Sequence, residues 1–206
     1  MALATYSDLK TTVANYLARS DLTSQIPDFI RLAEVRLRRN LRIRQMLKLA
    51  YTSATGGDST VGLPTDFLEM RNLYLNTNPE QPLNYLSPSV FTRNARTQES
   101  GRPIQYTILA DEIQLAPVPD TNYSVYMLYY AAPTFMSDSV STNAFMSVCP
   151  DLLLYGSLSE AEPYLMNDNR LAVWAGLYAR ALSDLTTSDD QGEYSGNPMV
   201  MTLAKR

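Results

Sequence analysis

The chain has 206 residues, of which 45% are hydrophobic and 18% are charged, so it can bury one sizeable core or two small ones. It contains no histidine and one cysteine, which excludes histidine-dependent triads and an internal disulfide and makes a metal centre unexpected. No stretch approaches the roughly 18 consecutive apolar residues of a membrane span, and the first residues lack the features of a signal peptide. We therefore expect a protein made in the cytoplasm, without a membrane partner.

Charge is distributed unevenly along the chain. Residues 1–48 carry nine lysines and arginines against four acidic residues, a net charge of +5, whereas residues 49–206 carry eight against seventeen, a net charge of −9. The two values recover the net charge of −4 for the whole chain. Opposite charges indicate surfaces for different neighbours or for a second copy of the protein, although simple solvation would produce the same pattern.

Residues 1–48 are predicted to form a helical hairpin. Thr5 or Ser7 can cap a first helix that ends near Ser20. Its apolar stripe consists of Leu9, Val13, Tyr16 and Leu17. A second helix has its start signal at Ser24 and Pro27 in its first turn, and it is expected to run from about Ile26 to the low forties. Its apolar stripe consists of Ile30, Ala33, Leu37 and Leu41.

The other faces of the second helix, and the segment that follows it, are strongly basic. They carry Arg31, Arg36, Arg38, Arg39, Arg42, Arg44 and Lys48, with Glu34 among them. Because the planar guanidinium pairs with carboxylates and arginine is enriched at interfaces, we predict an inter-subunit interface formed by Arg31, Arg38, Arg39 and Arg42. The same arginines could instead neutralise phosphates of a nucleic acid, with Tyr51 stacking on a base, or simply be solvated.

Residues 49–148 are predicted to form a β-rich insertion. Strands are expected at 50–55 and 59–63, joined as a hairpin by a tight turn that contains two glycines, and again at 70–75. Ser87-Pro88 can then start a short helix that runs through about Arg96.

Alternation of apolar and polar residues is clearest in the second half of this insertion. It predicts a hairpin of strands at 104–108 and 113–115, followed by a strand at 123–130 that ends before Pro133. Short connections predict that these three strands are antiparallel neighbours. The last strand carries Tyr123, Tyr126, Tyr129 and Tyr130. These rings are typical of an interface, but a sandwich core with one polar face would contain them too.

Helices are predicted again from Pro150. The first has an apolar face and should kink or end at Pro163, and Asp168 or Asn169 can start the last helix. The apolar stripe of the last helix consists of Leu171, Trp174, Tyr178, Ala181 and Leu185. Cys149, just before the first of these helices, is expected to be a small buried side chain.

Neither helical hairpin can bury its apolar stripe alone. We therefore predict an α+β fold, in which the helices of 1–48 and 149–186 form one bundle and 49–148 is an inserted antiparallel β-rich domain. From Thr186 the sequence loses apolar periodicity, so 187–206 is expected to be an extended tail that is disordered in the free protein.

The sequence offers little for catalysis. Neither a phosphate-binding loop nor a dinucleotide fingerprint is present, because the paired glycines stand in a predicted hairpin rather than between a strand and a helix. A carboxylate-dependent hydrolase could use Asp111 with Glu112, or Glu160 with Glu162. Neighbours on a turn, or residues two apart on a helix, do not share a face, so we expect no enzyme and no cofactor.

Several short motifs recur in a definite order between residues 5 and 186. They are Leu63-Pro64-x-Asp66-Phe67, Ser87-Pro88, Gly101-x-Pro103-x-x-Tyr106, Ile113-x-Leu115-x-Pro117-x-Pro119-Asp120, Tyr129-Tyr130-x-x-Pro133 and Leu154-Tyr155-Gly156-x-Leu158-x-x-Ala161. This order resembles the head-to-tail adaptor, or connector, proteins of tailed bacteriophages.

The resemblance implies a structural virion protein, made in the host cytoplasm and located at the head-to-tail interface. It implies a dodecameric ring between the portal protein and a tail or nozzle protein, with DNA passing through the lumen without sequence-specific contact. In such adaptors the C-terminal extension commonly reaches the portal. The corresponding portal-binding residues here would be Met199, Val200, Met201, Leu203, Lys205 and Arg206.

Overall fold

The computed structural model describes residues 3–19, 21–95, 99–165 and 170–194. In chain order the helices are α1 (Tyr6–Leu17), α2 (Ile26–Asn40), α3 (Pro88–Ala95), α4 (Ala144–Val148), α5 (Pro150–Leu165) and α6 (Leu171–Tyr194). The strands are β1 (Leu47–Ala54), β2 (Thr60–Gly62), β3 (Phe67–Leu75), β4 (Gln81–Pro82), β5 (Asn84–Tyr85), β6 (Gln105–Leu109), β7 (Glu112–Ala116) and β8 (Tyr123–Ala131). This content confirms the predicted α+β class.

The chain divides into two compact units. Met1–Gln45 and Pro133–Arg206 together make the helical unit, and Met46–Ala132 makes the β unit. The predicted insertion extended to residue 148, but residues 133–148 group with the helices. The physical reason is burial and bonding within the helical unit, because Met136 and Phe145 are buried and Asn143 donates a hydrogen bond to Glu34 on α2.

Both N-terminal helices form where the sequence predicts them, with different caps. Thr5 caps α1 through a reciprocal pair of bonds, in which Asp8 N donates to Thr5 Oγ1 at 3.2 Å and Thr5 N donates to the Asp8 carboxylate at 3.0 Å. α2 begins at Ile26 with Pro27 in its first turn, as predicted, but it follows Gln25 without a side-chain cap, so Ser24 does not cap it. The predicted stripes are buried except for Tyr16, which is exposed.

The C-terminal helices complete the core of the helical unit. α5 buries a broad apolar face and ends at Leu165, with Pro163 in its last turn. Gly156 on α5 permits close packing, because a Cβ there would lie 3.2 Å from the Ala33 side chain of α2. Cys149 is buried as expected, and burial raises the pKa of its thiol to about 12.

α6 is longer than the sequence indicated. It continues to Tyr194, so the expectation of an extended tail is wrong for residues 187–194. In this polar segment the hydroxyls of Thr186 and Thr187 donate to carbonyls of the preceding turn, at 3.1 and 2.9 Å, so they find their partners within the helix. Asp189 also forms an ion pair with Arg44, at 3.0 Å. Residues 195–206, and the predicted helix start at Asp168 or Asn169, lie outside the described residues.

In the described part of the β unit, the strands form two four-stranded sheets. Sheet A has the order β1-β8-β3-β4, and sheet B has the order β2-β7-β6-β5. The inner faces of both sheets supply one core. It contains Ala54, Val61, Leu73, Leu75, Leu83, Tyr106, Ile113, Leu115, Val125, Met127 and Tyr129.

The predicted β6–β7 hairpin is confirmed, but two predicted pairings are wrong. β1 and β2 belong to different sheets rather than to one hairpin, and β8 lies between β1 and β3 rather than beside β7. The glycine turn after β1 is bonded to the segment before β8, where Gly57 N donates to Pro119 O and Gly56 N donates to Asn122 Oδ1. These bonds join the β1–β2 connection to the β7–β8 connection, two segments in which the chain passes from one sheet to the other.

Candidate functional site

The arginine-rich helix α2 is the first candidate surface, and most of its cations contact the helical unit itself. The guanidinium groups of Arg31 and Arg38 lie over the ring of Phe135, with the Cζ atoms 3.1 and 3.8 Å from the ring centroid. Burial lowers the pKa of Arg38, whose Nε is buried without a hydrogen-bond partner among the described residues. The half-buried ring of Phe135 therefore replaces solvent for two of the four arginines predicted to form an interface.

Glu34 is a buried carboxylate beside this arrangement. It accepts hydrogen bonds from Met136 N at 3.1 Å and from Asn143 Nδ2 at 2.7 Å. Burial raises the pKa of Glu34, and these bonds and the charges of Arg31 and Arg38 oppose that shift only in part. The carboxylate thus joins α2 to the segment before α4, and it is not offered to a ligand.

Three further arginines are also held within the helical unit. Arg36 donates to Glu160 at 3.3 Å and lies 4.6 Å from the centroid of the Tyr178 ring. Arg42 Nη1 donates to two backbone carbonyls near the end of α2, at 2.7 and 3.0 Å. Arg44 pairs with Asp189.

Arg39 differs from these five, because its side chain is exposed and has no bonding partner among the described residues. Of the four predicted interface arginines, Arg31, Arg38 and Arg42 thus contact groups of the helical unit, whereas the described residues supply no such contact for Arg39. The predicted portal-binding residues lie outside the described residues. They are Met199, Val200, Met201, Leu203, Lys205 and Arg206.

The outer face of sheet A is a second candidate surface. The sequence indicated Tyr51 and Tyr126 separately, but not that they lie side by side. Tyr51, Tyr126 and Tyr74 lie side by side on β1, β8 and β3, as the strand registers require. We call these three residues the tyrosine row. The ring centroids of Tyr51 and Tyr126 are 6.0 Å apart, and those of Tyr126 and Tyr74 are 5.0 Å apart in a stacked arrangement.

The four tyrosines of β8 divide between interface-like and core-like positions. Tyr129 is buried, whereas Tyr126 and Tyr130 project from the outer face and are half-buried. Period-two alternation along 123–130 could have separated them, because Val125 and Met127 share the inner face with Tyr129. The lateral neighbours on β1 and β3 could not be found from that alternation.

The Leu-Pro-x-Asp-Phe motif has a structural role within the β unit. Asp66 accepts from the Tyr129 hydroxyl at 2.8 Å and from Lys48 Nζ at 2.7 Å. Burial alone would raise the pKa of Asp66, but the bonds from Lys48 and Tyr129 outweigh it and lower that pKa. Phe67 stacks on the Tyr129 ring with centroids 5.8 Å apart. The motif thus connects β3 to β1 and β8.

The contacts of Asp66, Tyr129 and Gly156 give three of the ordered motifs a structural role, in strand positions of the β unit and in helix packing of the helical unit. A sequence model of the SU10 adaptor protein family matches residues 4–202. The chain belongs to the SU10 adaptor protein family. The match confirms the resemblance to phage head-to-tail adaptors. A comparison with curated proteins finds no match.

An SU10 adaptor protein is a structural component of a phage virion, so its partners are other virion proteins. The described residues of this family member contain no group of three or more histidine, cysteine, aspartate or glutamate side chains placed to hold a metal ion. Across the same residues, no helix combines the length and apolar character needed to cross a bilayer.

Proposed function

We propose that copies of this chain form a dodecameric ring between the portal protein and the tail or nozzle, around the channel for DNA. The observation that carries the proposal is the family match over residues 4–202. The ring is a structural element without catalytic activity, and DNA passes through its lumen without sequence-specific contact. Synthesis takes place in the host cytoplasm, before incorporation into the virion.

A closed head-to-tail ring needs two unlike, complementary faces on each subunit. The uneven charge supports this, with +5 on residues 1–48 and −9 on residues 49–206. We propose that one of the two faces includes α2, with Arg39 at its surface. The other predicted arginines, Arg31, Arg38 and Arg42, support that face through their contacts within the helical unit.

Electron microscopy of the full-length chain, alone and mixed with the portal protein of the same phage, tests the ring. We expect a mainly monomeric chain alone, because a single modest contact is weak until portal docking makes many contacts cooperative. We expect rings on the portal. A stable ring without the portal would overturn the assembly order alone, and the absence of rings in both samples would overturn the adaptor proposal.

Binding of nucleic acid by α2 is the competing function. Its support is weakened by the internal contacts of the arginines, since a phosphate would have to replace the Phe135 ring or a carboxylate that already neutralises the charge. Titration of the full-length chain with oligonucleotides at several salt concentrations tests it. Tight binding by the monomer, falling steeply with salt, would favour this function over the ring.

The C-terminal residues are proposed to anchor the chain to the portal. Burying two or three of the side chains among Met199, Val200, Met201 and Leu203 would contribute about 1.5 to 3 kcal/mol each before ordering costs. Because α6 continues to Tyr194, the truncation that tests this anchor removes the residues after Tyr194. The truncated chain should fold, as measured by circular dichroism, and attach weakly to the portal. Undiminished attachment would remove the anchor.

A further inference from the structure

The tyrosine row is an open surface in the described structure. Tyr51 is 71% exposed, and Leu49, two residues earlier on the same face of β1, is 46% exposed. Leu128 on β8 lies opposite Leu49 and extends the apolar area. β1 is the outermost strand of sheet A, so the backbone edge next to these side chains is also unpaired by any strand of the described residues. Contiguous exposed apolar surface of this kind marks interaction sites.

A carboxylate borders this apolar surface. The Tyr126 hydroxyl donates to Glu80 at 2.5 Å, which places that acidic group beside the rings of the tyrosine row. Aromatic rings next to carboxylates attract a guanidinium, because the ring faces and the acidic groups both carry negative charge. The surface therefore suits a partner that presents an apolar side chain together with an arginine.

The outward side of α2 has this chemistry. Leu32 is 49% exposed, Val35 is half-buried and Arg39 is exposed, and their spacing of three and four residues places them on one side of the helix. Arg39 is also the α2 arginine for which the described residues supply no partner, whereas Arg31, Arg36 and Arg38 are all engaged. The two surfaces are complementary in polarity and in charge.

Their dimensions agree as well. The tyrosine row spans about 11 Å from the ring of Tyr51 to that of Tyr74, from centroid spacings of 6.0 and 5.0 Å. Seven residues of α-helix, from Leu32 to Arg39, rise by roughly 10 Å. A helix that crosses the strands can therefore place Leu32 at one end of the row and Arg39 at the other.

We propose that the tyrosine row of one copy receives the side of α2 formed by Leu32, Val35 and Arg39 of a second copy. This contact rests on the proposed ring, and it identifies the two unlike faces that ring closure requires. Arg39 lies over a tyrosine ring within reach of a border carboxylate, and Leu32 packs on the aromatic surface. The same contact repeats around the ring.

Photocrosslinking of full-length rings on the portal tests the pairing. Benzoylphenylalanine replaces Tyr51, and labelled and unlabelled copies are mixed so that mass spectrometry recognises links between copies. We expect links from position 51 to residues 28–42 of a second copy. Links within rings that reach other segments instead would overturn the pairing and leave the ring in place.

Two charge variants provide an independent test. Tyr51→Glu and Arg39→Glu should each weaken ring formation about tenfold or more, since each disrupts one partner of the contact. Mixed on the portal, the two variants should still form no complete ring, because every second contact around such a ring would join the two substituted faces. Tyr85→Glu and Arg180→Glu serve as matched controls on other exposed positions, and circular dichroism should show equal folding of all four variants.

The outcomes separate this contact from the proposed function. Normal rings from Tyr51→Glu or Arg39→Glu would overturn the contact while the adaptor function stands. Equal loss of rings in the control variants would also overturn it, because the effect would not be specific to the two faces. If the unsubstituted chain forms no rings on the portal, both the contact and the proposed function fail.

Discussion

The arginine-rich helix α2 and the tyrosine row of sheet A use their side chains in opposite ways. In α2, Arg31 and Arg38 are held by Phe135, and Arg36 is held by Glu160. In the tyrosine row the rings contact one another and Tyr51 remains 71% exposed. A dense run of charged residues in a sequence therefore does not show how many of those side chains are available to a partner. Those that are already engaged within the fold must be identified first. The predictions below test this contrast.

The largest effect is expected from Glu34→Ala. The substitution leaves Met136 N and Asn143 Nδ2 without their acceptor and leaves the nearby arginines without a counter-charge, which should lower the free energy of unfolding by about 3 kcal/mol. Urea denaturation followed by circular dichroism measures the change. Glu162→Ala on α5 is the control, with an expected change below about 0.5 kcal/mol. Equal stability of both variants would show that Glu34 does not join these segments.

A smaller loss is expected from Phe135→Ala, about 2 kcal/mol, because a half-buried ring and two cation–π contacts disappear together. Phe135→Leu keeps much of the apolar volume and removes the ring electrons, so its stability should fall between those of wild type and Phe135→Ala. The same denaturation assay applies. A leucine variant as stable as wild type would show that the arginines gain nothing from the ring.

Tyr129→Phe should cost about 1 kcal/mol, since it removes one hydrogen bond from Asp66 in the β unit and keeps the ring packing. The stacked pair of Phe67 and Tyr129 is retained in this variant, which separates the bond from the aromatic contact. Thermal and urea unfolding provide the measurement. A loss as large as that expected for Glu34→Ala would contradict the assignment to a single bond.

The pH dependence of stability should differ between Asp66 and Glu34. The pKa of Asp66 is lowered in the fold, so its contribution is present above the unfolded pKa of about 3.9 and is lost as pH falls through the lowered value. The pKa of Glu34 is raised, so its contribution is complete below about 4.3 and is lost as pH rises through the raised value. As pH rises from about 2 to 5, the deficit of Asp66→Asn should grow, and as pH rises from about 4 to 7, the deficit of Glu34→Gln should shrink. Urea denaturation at a series of pH values measures both deficits in the free energy of unfolding. Deficits that change with pH in the same direction for the two variants would contradict this prediction.

The smallest effect concerns the tyrosine row. The hydrogen bond from the Tyr126 hydroxyl to Glu80 raises the pKa of Tyr126 to about 12. Because this bond is exposed, Tyr126→Phe should leave the free energy of unfolding unchanged. Glu80→Gln should lower the pKa of Tyr126 towards 10.0. Ultraviolet titration, with Tyr126→Phe as the reference, measures this shift. An unchanged titration would show that Glu80 does not hold the hydroxyl.

The features that were predicted correctly from the sequence are those that depend on interactions between residues close together in the chain. The cap at Thr5, the apolar stripes of α1 and α2, the β6–β7 hairpin and the burial of Cys149 all depend on residues close together in the chain. Each has a short-range signature, either a period, a cap or a turn. The class of fold followed from adding these elements together.

Long-range pairing could not be predicted in the same way. The alternation in β8 is compatible with a place beside β7, and only the contacts across the finished sheets place β8 between β1 and β3. The partner of Arg31 is Phe135, more than a hundred positions along the chain, and no spacing rule connects them. The helical continuation past Thr186 includes an ion pair between Asp189 and Arg44, a long-range contact that the loop-like composition of this segment does not reveal.

The division of the helical unit into two distant segments has a consequence for synthesis. The β unit is one continuous stretch, Met46–Ala132, so all the strands that pair with one another have left the ribosome soon after residue 132 is added. α2 emerges long before its partners Met136, Asn143 and Glu160. At roughly 5–20 residues per second, its inner face waits about 5 to 20 seconds for them. The inserted unit should therefore fold first, while the older helices remain substrates for chaperones.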